Sequence, residues 1–155
     1  MPSINVVKQQ AWKLYNQWRK ETIYSPALAS NVRISLKGWW HIAGHMSGNV
    51  RAKKRTAGDT YRRLMLLPYA KEILQKATTI QNIVTRRGTN YYAIEAVVMV
   101  QEDGKSLPRK VRVIVIEDKA GNKSFYSIFD KRQRSLARAK VSTKMKKALG
   151  GIKNP

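Results

Sequence analysis

The sequence has no cysteine, two histidines and nine acidic residues among 155. Without thiols, disulfide scaffolds, thiolate zinc sites and cysteine nucleophiles are all excluded. No apolar run approaches the roughly 20 residues that a bilayer-crossing helix needs. The N-terminal stretch MPSINVVKQQAWK has no apolar core of a secretory signal. A cytoplasmic site of action is therefore expected, either for the chain itself or for a domain delivered as part of a larger protein. No segment joins a basic face to a broad, unbroken apolar face, so no membrane partner is expected.

Against nine carboxylates stand 31 lysines and arginines, a formal net charge of +22. Such a surplus repels itself and calls for a polyanionic partner, nucleic acid first. The basic residues fall in runs: Arg51, Lys53, Lys54 and Arg55; Arg62 and Arg63; Arg86 and Arg87. Beyond Asp130 there are nine basic residues and no acidic one. The 43% hydrophobic content is enough for a core, and the length fits one compact unit with a tail.

Along the chain, residues 4–22 carry Val7, Ala11, Leu14, Tyr15 and Trp18 at helical spacing. Residues 32–36 read as a short strand. The segment WWHIAGHM after Gly38 reads as a helix ending near Gly48, and residues 49–60 as a loop. Residues 61–77 read as two helical turns, then Pro68 marking a new helix start. From residue 79 the pattern changes to four strand-like runs, 79–85, 90–100, 110–117 and 124–129. They are separated by RRG, a longer loop QEDGKSLPR, and DKAGNK. Val111, Val113 and Val115 share one strand face, with Arg112, Ile114 and Ile116 on the other. Connections this short exclude parallel crossovers. The expected fold is α+β: N-terminal helices packed on a four-stranded antiparallel meander, with a basic C-terminal helix or tail. The expected organisation is an N-terminal helical segment (1–30), a core (31–131) and the basic tail (132–155).

His41 and His45 are four residues apart, so a helix carrying both would present them on one face. Metal binding is disfavoured, because Ile42, Ala43 and Gly44 separate them and no acidic residue occurs between Glu21 and Asp59. Two ordinary polar histidines are the bland alternative. Acid–base catalysis on RNA uses the pair best. One imidazole takes the 2′-OH proton and the other protonates the 5′-oxygen, with no metal or other cofactor. A positive surrounding field favours the neutral base. Lys37, one turn before His41, is a candidate for stabilising charge on the phosphorane. Arg51, Lys53, Lys54 and Arg55 are candidate phosphate contacts, as are Arg62, Arg63 and Arg112.

The order of elements, the segment LKGWWHIAGHM and the paired runs KVRVIVIEDKAGNKSFYSIF resemble the barnase–EndoU–colicin–RelE superfamily of ribonucleases, nearest its phage and polymorphic-toxin branches. The resemblance spans Val32 to Lys131. It implies a metal-independent endoribonuclease that leaves a 2′,3′-cyclic phosphate, acting on RNA with tRNA favoured. An acidic immunity protein or antitoxin is the implied partner. The family's helix histidines fall on His41 and His45. Its last-strand hydroxyl falls on Ser127 or Tyr126, which strand alternation would send to opposite faces. The helix lacks a barnase-type acidic base. Trp39 and Trp40 are expected in the core, with base stacking as the alternative, and Tyr91 and Tyr92 as half-buried packing. A non-catalytic nucleic-acid-binding protein of a phage or mobile element is the alternative of different class.

Overall fold

The computed structural model describes residues 2–44 and 56–130. The run Arg51 to Arg55, His45 and the tail beyond Asp130 lie outside the described residues.

Helix α1 (Ile4–Trp18) starts at Ser3, whose hydroxyl accepts the Val6 N–H, and buries Val7, Ala11, Tyr15 and Trp18. It stops four residues short of the expected end, and Ile23 already lies in a strand. Strands β1 (Ile23–Ser25) and β2 (Ser30–Val32) form a small antiparallel ribbon. The strand expected over 32–36 thus sits earlier, and Arg33 makes a lone parallel bridge to Ser124.

Helix α2 (Leu36–Ala43) starts at Ser35, whose hydroxyl accepts the Gly38 N–H. It ends at Gly44, which takes a left-handed φ of 71°. That conformation costs glycine nothing and closes the last turn. The helix is therefore shorter than expected. The one-face argument that joined His41 to His45 stops at Gly44.

Helix α3 (Ala57–Leu66) begins inside the stretch expected to be loop. Thr56 caps it by accepting the Asp59 N–H at 3.0 Å, and Asp59 sits in the positive first turn. A 3₁₀ turn (Leu67–Tyr69) with Pro68 in its first turn leads into α4 (Ala70–Lys76), so Pro68 marks a start as expected.

The four remaining strands are β3 (Asn82–Arg86), β4 (Thr89–Glu102), β5 (Lys105–Glu117) and β6 (Lys123–Asp130). They form an antiparallel sheet in chain order, the expected meander, and the fold is α+β with the N-terminal helices on the sheet. Two-residue turns at Arg87–Gly88 and Asp103–Gly104 have positive φ throughout, as tight hairpins require. The loop expected across QEDGKSLPR is thus mostly strand. Pro108 is tolerated there because β6 pairs β5 only from Val111 onward, leaving Pro108 on a stretch with one neighbour.

One face of the sheet carries Ile94, Val100, Val111, Val113, Val115, Phe125 and Ile128, which join the buried residues of α1, α2, α3 and α4 in a single apolar cluster. Residues from both the 1–30 and the 31–131 segments supply that cluster. Ala93 and Ile116 are also buried but lie outside it, on the second face of the sheet. Helices α2 and α3 run beside the edge strand β6, which places their side chains at the margin of that second face.

Candidate functional site

The second face is built from the strand register. Glu95 on β4 stands directly opposite Arg112 on β5, which in turn stands opposite Phe129 on β6. Two residues along, Ala93, Ile114 and Ser127 form the next row. Beyond them Tyr91 pairs with Ile116.

A bulge interrupts β6 here. Val115 pairs with Phe125 and the adjacent Ile114 pairs with Ser127, so Tyr126 is the extra residue. A bulge breaks strict alternation and re-aims side chains. The Tyr126 ring stacks on the His41 imidazole, centroids 4.0 Å apart and planes 25° apart. The same ring meets Tyr91 edge-on at 5.9 Å. Tyr126 and Ser127 therefore both serve the second face. The expectation that alternation would send them to opposite faces is overturned by the bulge.

His41 reaches this place because α2 lies very close to β6. A Cβ added at Gly38 would meet the Phe125 carbonyl, and would lie 2.7 Å from the Tyr15 hydroxyl. Only glycine permits that approach. Tyr15 holds the start of α2 by donating its hydroxyl to the Ser35 carbonyl. Burial pushes its phenol well above the ordinary range, so it stays a donor. Trp39 packs against Trp12 and Tyr15, as expected for core, whereas Trp40 is exposed. Lys37 is exposed on α2 one turn before His41.

Ser127 is buried and accepts a hydrogen bond from Arg63. Arg63 is further held by Asp59 at 2.9 Å, and its guanidinium lies over the Phe129 ring. Arg112 donates to Glu95 at 2.7 Å, and Lys110 lies 3.8 Å from the same carboxylate. The second face thus brings together His41, Tyr126, Tyr91, Ser127, Arg63, Arg112 and Glu95.

Arg62 belongs elsewhere. It bonds to Asp130 and Glu102, and Arg109 also reaches Glu102, at 2.8 Å. Asp130 pairs with Val111 and so projects to the core side of the sheet. Burial disfavours the Arg62 charge, but the two carboxylates outweigh it and raise its pKa. Hydrogen bonds from Arg109 and Arg62 hold the Glu102 carboxyl below its usual range. This is an ion-paired clamp between α3 and the sheet. Tyr92, next to Tyr91, likewise turns to the core side and donates to Glu117 at 2.9 Å.

Glu95 was missed in the sequence. Its neighbours on β4 are apolar, and a carboxylate in such a run carries no motif. The available signal was alternation: Glu95 is in phase with Tyr91 and Ala93, opposite the phase of Ile94. Among the described residues, no group of three or more histidine or acidic side chains could hold a metal ion. No described helix is long and apolar enough to cross a membrane.

Comparison of the chain with protein-family models, with curated proteins and with solved structures finds no match. The class defined here is thus one of architecture: an α+β chain with a polar, aromatic-lined second sheet face.

Proposed function

We propose that this chain is a metal-independent endoribonuclease, of the barnase–EndoU–colicin–RelE kind, that cleaves RNA through its own 2′-OH. The observation that carries this reading is the stacked His41–Tyr126 pair beside the buried Ser127–Arg63 contact. A stacked imidazole is held in one orientation, which a proton-transfer group needs. In the reaction the 2′-oxygen bonds to phosphorus, its proton passes to a base, and the P–O5′ bond breaks as an acid protonates the leaving oxygen. His41 serves one of these transfers. His45 or Glu95 serves the other. Arg63, Arg112 and Lys37 supply positive charge where the phosphorane oxygens become more negative. The products are a 2′,3′-cyclic phosphate and a 5′-hydroxyl. tRNA is the favoured target. An acidic protein that neutralises the site is the natural partner, and the cytoplasm is the place of action.

A second reading has an observation in its favour. Arg63 and Arg112 are both held by carboxylates, so the positive charge on this face is largely compensated where a phosphorane would need it. On that reading the chain is a non-catalytic nucleic-acid binder.

The deciding experiment is incubation of the purified chain with total RNA in EDTA, followed by end-group analysis. Cyclic phosphate ends are expected, and His41→Ala should reduce their rate by about 10²–10⁴-fold with RNA binding nearly unchanged. No cleavage by the wild type, with or without divalent metal, selects the binder.

A further inference from the structure

Two turns close the same end of the sheet. The β3–β4 turn carries Arg86, Arg87 and Gly88, and the β5–β6 loop runs from Asp118 to Asn122. The strand register puts them side by side, because Asn90 pairs with Glu117 and Glu117 pairs with Lys123. The Lys119 side chain crosses from one to the other: its Cε would lie 2.8 Å from a Cβ placed on Gly88. Arg33 joins them from the segment after β2, since its N–H bonds to the Lys123 carbonyl at 2.9 Å.

Arg86, Arg87, Lys119 and Arg33 are all exposed. None has an ion-pair partner among the described residues. The two carboxylates close by are already engaged. Glu117 pairs with Lys123 at 2.9 Å, and Asp118 accepts the Ala120 and Asn122 N–H groups of its own turn at 2.9 Å. Asp118 keeps its charge beside Arg33, so the positive field at this end is only partly compensated; Arg62, Arg63 and Arg112, by contrast, are each paired with a carboxylate. It also adjoins the ring ladder. Tyr91 follows Thr89, the partner of Arg86, by two residues, about 7 Å along the strand.

We infer that Arg86, Arg87, Lys119 and Arg33 form a second anion-binding surface, which holds the phosphates of the RNA strand flanking the His41–Tyr126 site. This rests on the RNA half of the reading above and not on cleavage. Nucleic acid fits better than an anionic membrane because the patch continues into rings that can stack a base.

The test is salt-dependent binding of a single-stranded 2′-O-methyl RNA dodecamer, which has no free 2′-OH and cannot be cut by the proposed route. The variant is Arg86→Gln, Arg87→Asn and Lys119→Gln. Asparagine suits the left-handed φ of 51° at position 87. The slope of log K against log salt should become shallower by about 2, from three lost contacts at about 0.7 each. The charge-keeping variant Arg86→Lys, Arg87→Lys and Lys119→Arg should retain the wild-type slope. An unchanged slope in the neutral variant, at an unchanged thermal midpoint, overturns the inference. So does loss of binding to phosphatidylserine vesicles with the RNA slope intact, which would assign the patch to a membrane. If the triple variant fails to fold, Arg86→Gln and Lys119→Gln singly should each reduce the slope by about 0.7. A wild type that binds the dodecamer through this patch but cuts no RNA would sink the nuclease reading and leave this surface standing.

Discussion

At the residue scale the site depends on how one imidazole is held. The His41–Tyr126 stack is a ring contact, which a phenyl ring would keep. On the proposed nuclease reading, Tyr126→Phe should leave cleavage near wild type. Tyr126→Leu loses an aromatic contact of about 1 kcal/mol, which corresponds to roughly fivefold in rate if the stack positions the imidazole. Initial rates on a short RNA in EDTA check this; equal losses in the two variants would transfer the role to the hydroxyl. Ser127 has a different part. It gives Arg63 an acceptor in a buried place, so Ser127→Ala should cost about 1 kcal/mol of stability, read from the urea midpoint.

At the scale of elements, α2 and α3 are fixed to the sheet by different physics. Contact distance sets α2. Gly38→Ala would push a methyl against the Phe125 backbone, which cannot give way as a flexible side chain could. A loss of about 1–3 kcal/mol is expected from such overpacking, with His41 displaced from Tyr126. Charge fixes α3. The Asp130 side chain is only 2% exposed, and among the described residues Arg62 is the cation paired with it. Arg62→Ala should therefore destabilise by about 3 kcal/mol, the cost of leaving a buried carboxylate unpaired. Denaturation with urea checks it. A fall in RNA affinity without a fall in stability would return Arg62 to the phosphate-binding role expected of it in the sequence.

For the whole molecule, the scarcity of carboxylates governs behaviour. Seven of the nine form ion pairs among the described residues, and those of Glu102, Asp130, Glu95 and Glu117 brace the sheet. Hydrogen bonds from Asn90, Lys123 and Tyr92 hold the Glu117 carboxyl down to about 2, against an ordinary 4.5. The folded state thus binds that proton more weakly than the unfolded one. Its stabilising contribution is complete above about pH 5 and disappears as pH falls toward 2. Glu117→Gln should flatten the acid limb of a stability–pH curve over that window, measured by urea midpoints; an unchanged limb would place the acid sensitivity elsewhere. The remaining +22 repels itself, so added salt up to a few tenths molar should raise the thermal midpoint as screening shortens to under about 10 Å.

Much of this was legible in the linear sequence. Alternation in KVRVIVIE put the three valines on one face, short Gly-containing connections dictated an antiparallel meander, and Pro68 announced a helix start. These are local rules, and each is enforced by a backbone or side-chain preference within a few residues. The α3 cap at Thr56 was equally local but was obscured by the basic, Gly-containing stretch around it. The second face was decided by tertiary structure. The β6 bulge that turns Tyr126 and Ser127 to one side depends on the register with β5. The meeting of His41 with Tyr126 depends on how closely Gly38 lets a helix approach that strand. Partner choice among arginines was also beyond the sequence: Arg62 and Arg63 are adjacent in the chain, yet helix geometry sends one to the core-side clamp and the other to Ser127. Composition fixed a surplus of 22 positive charges, which makes a polyanion the partner to expect. Which of those cations stay unpaired depends on where the folded chain places its nine carboxylates.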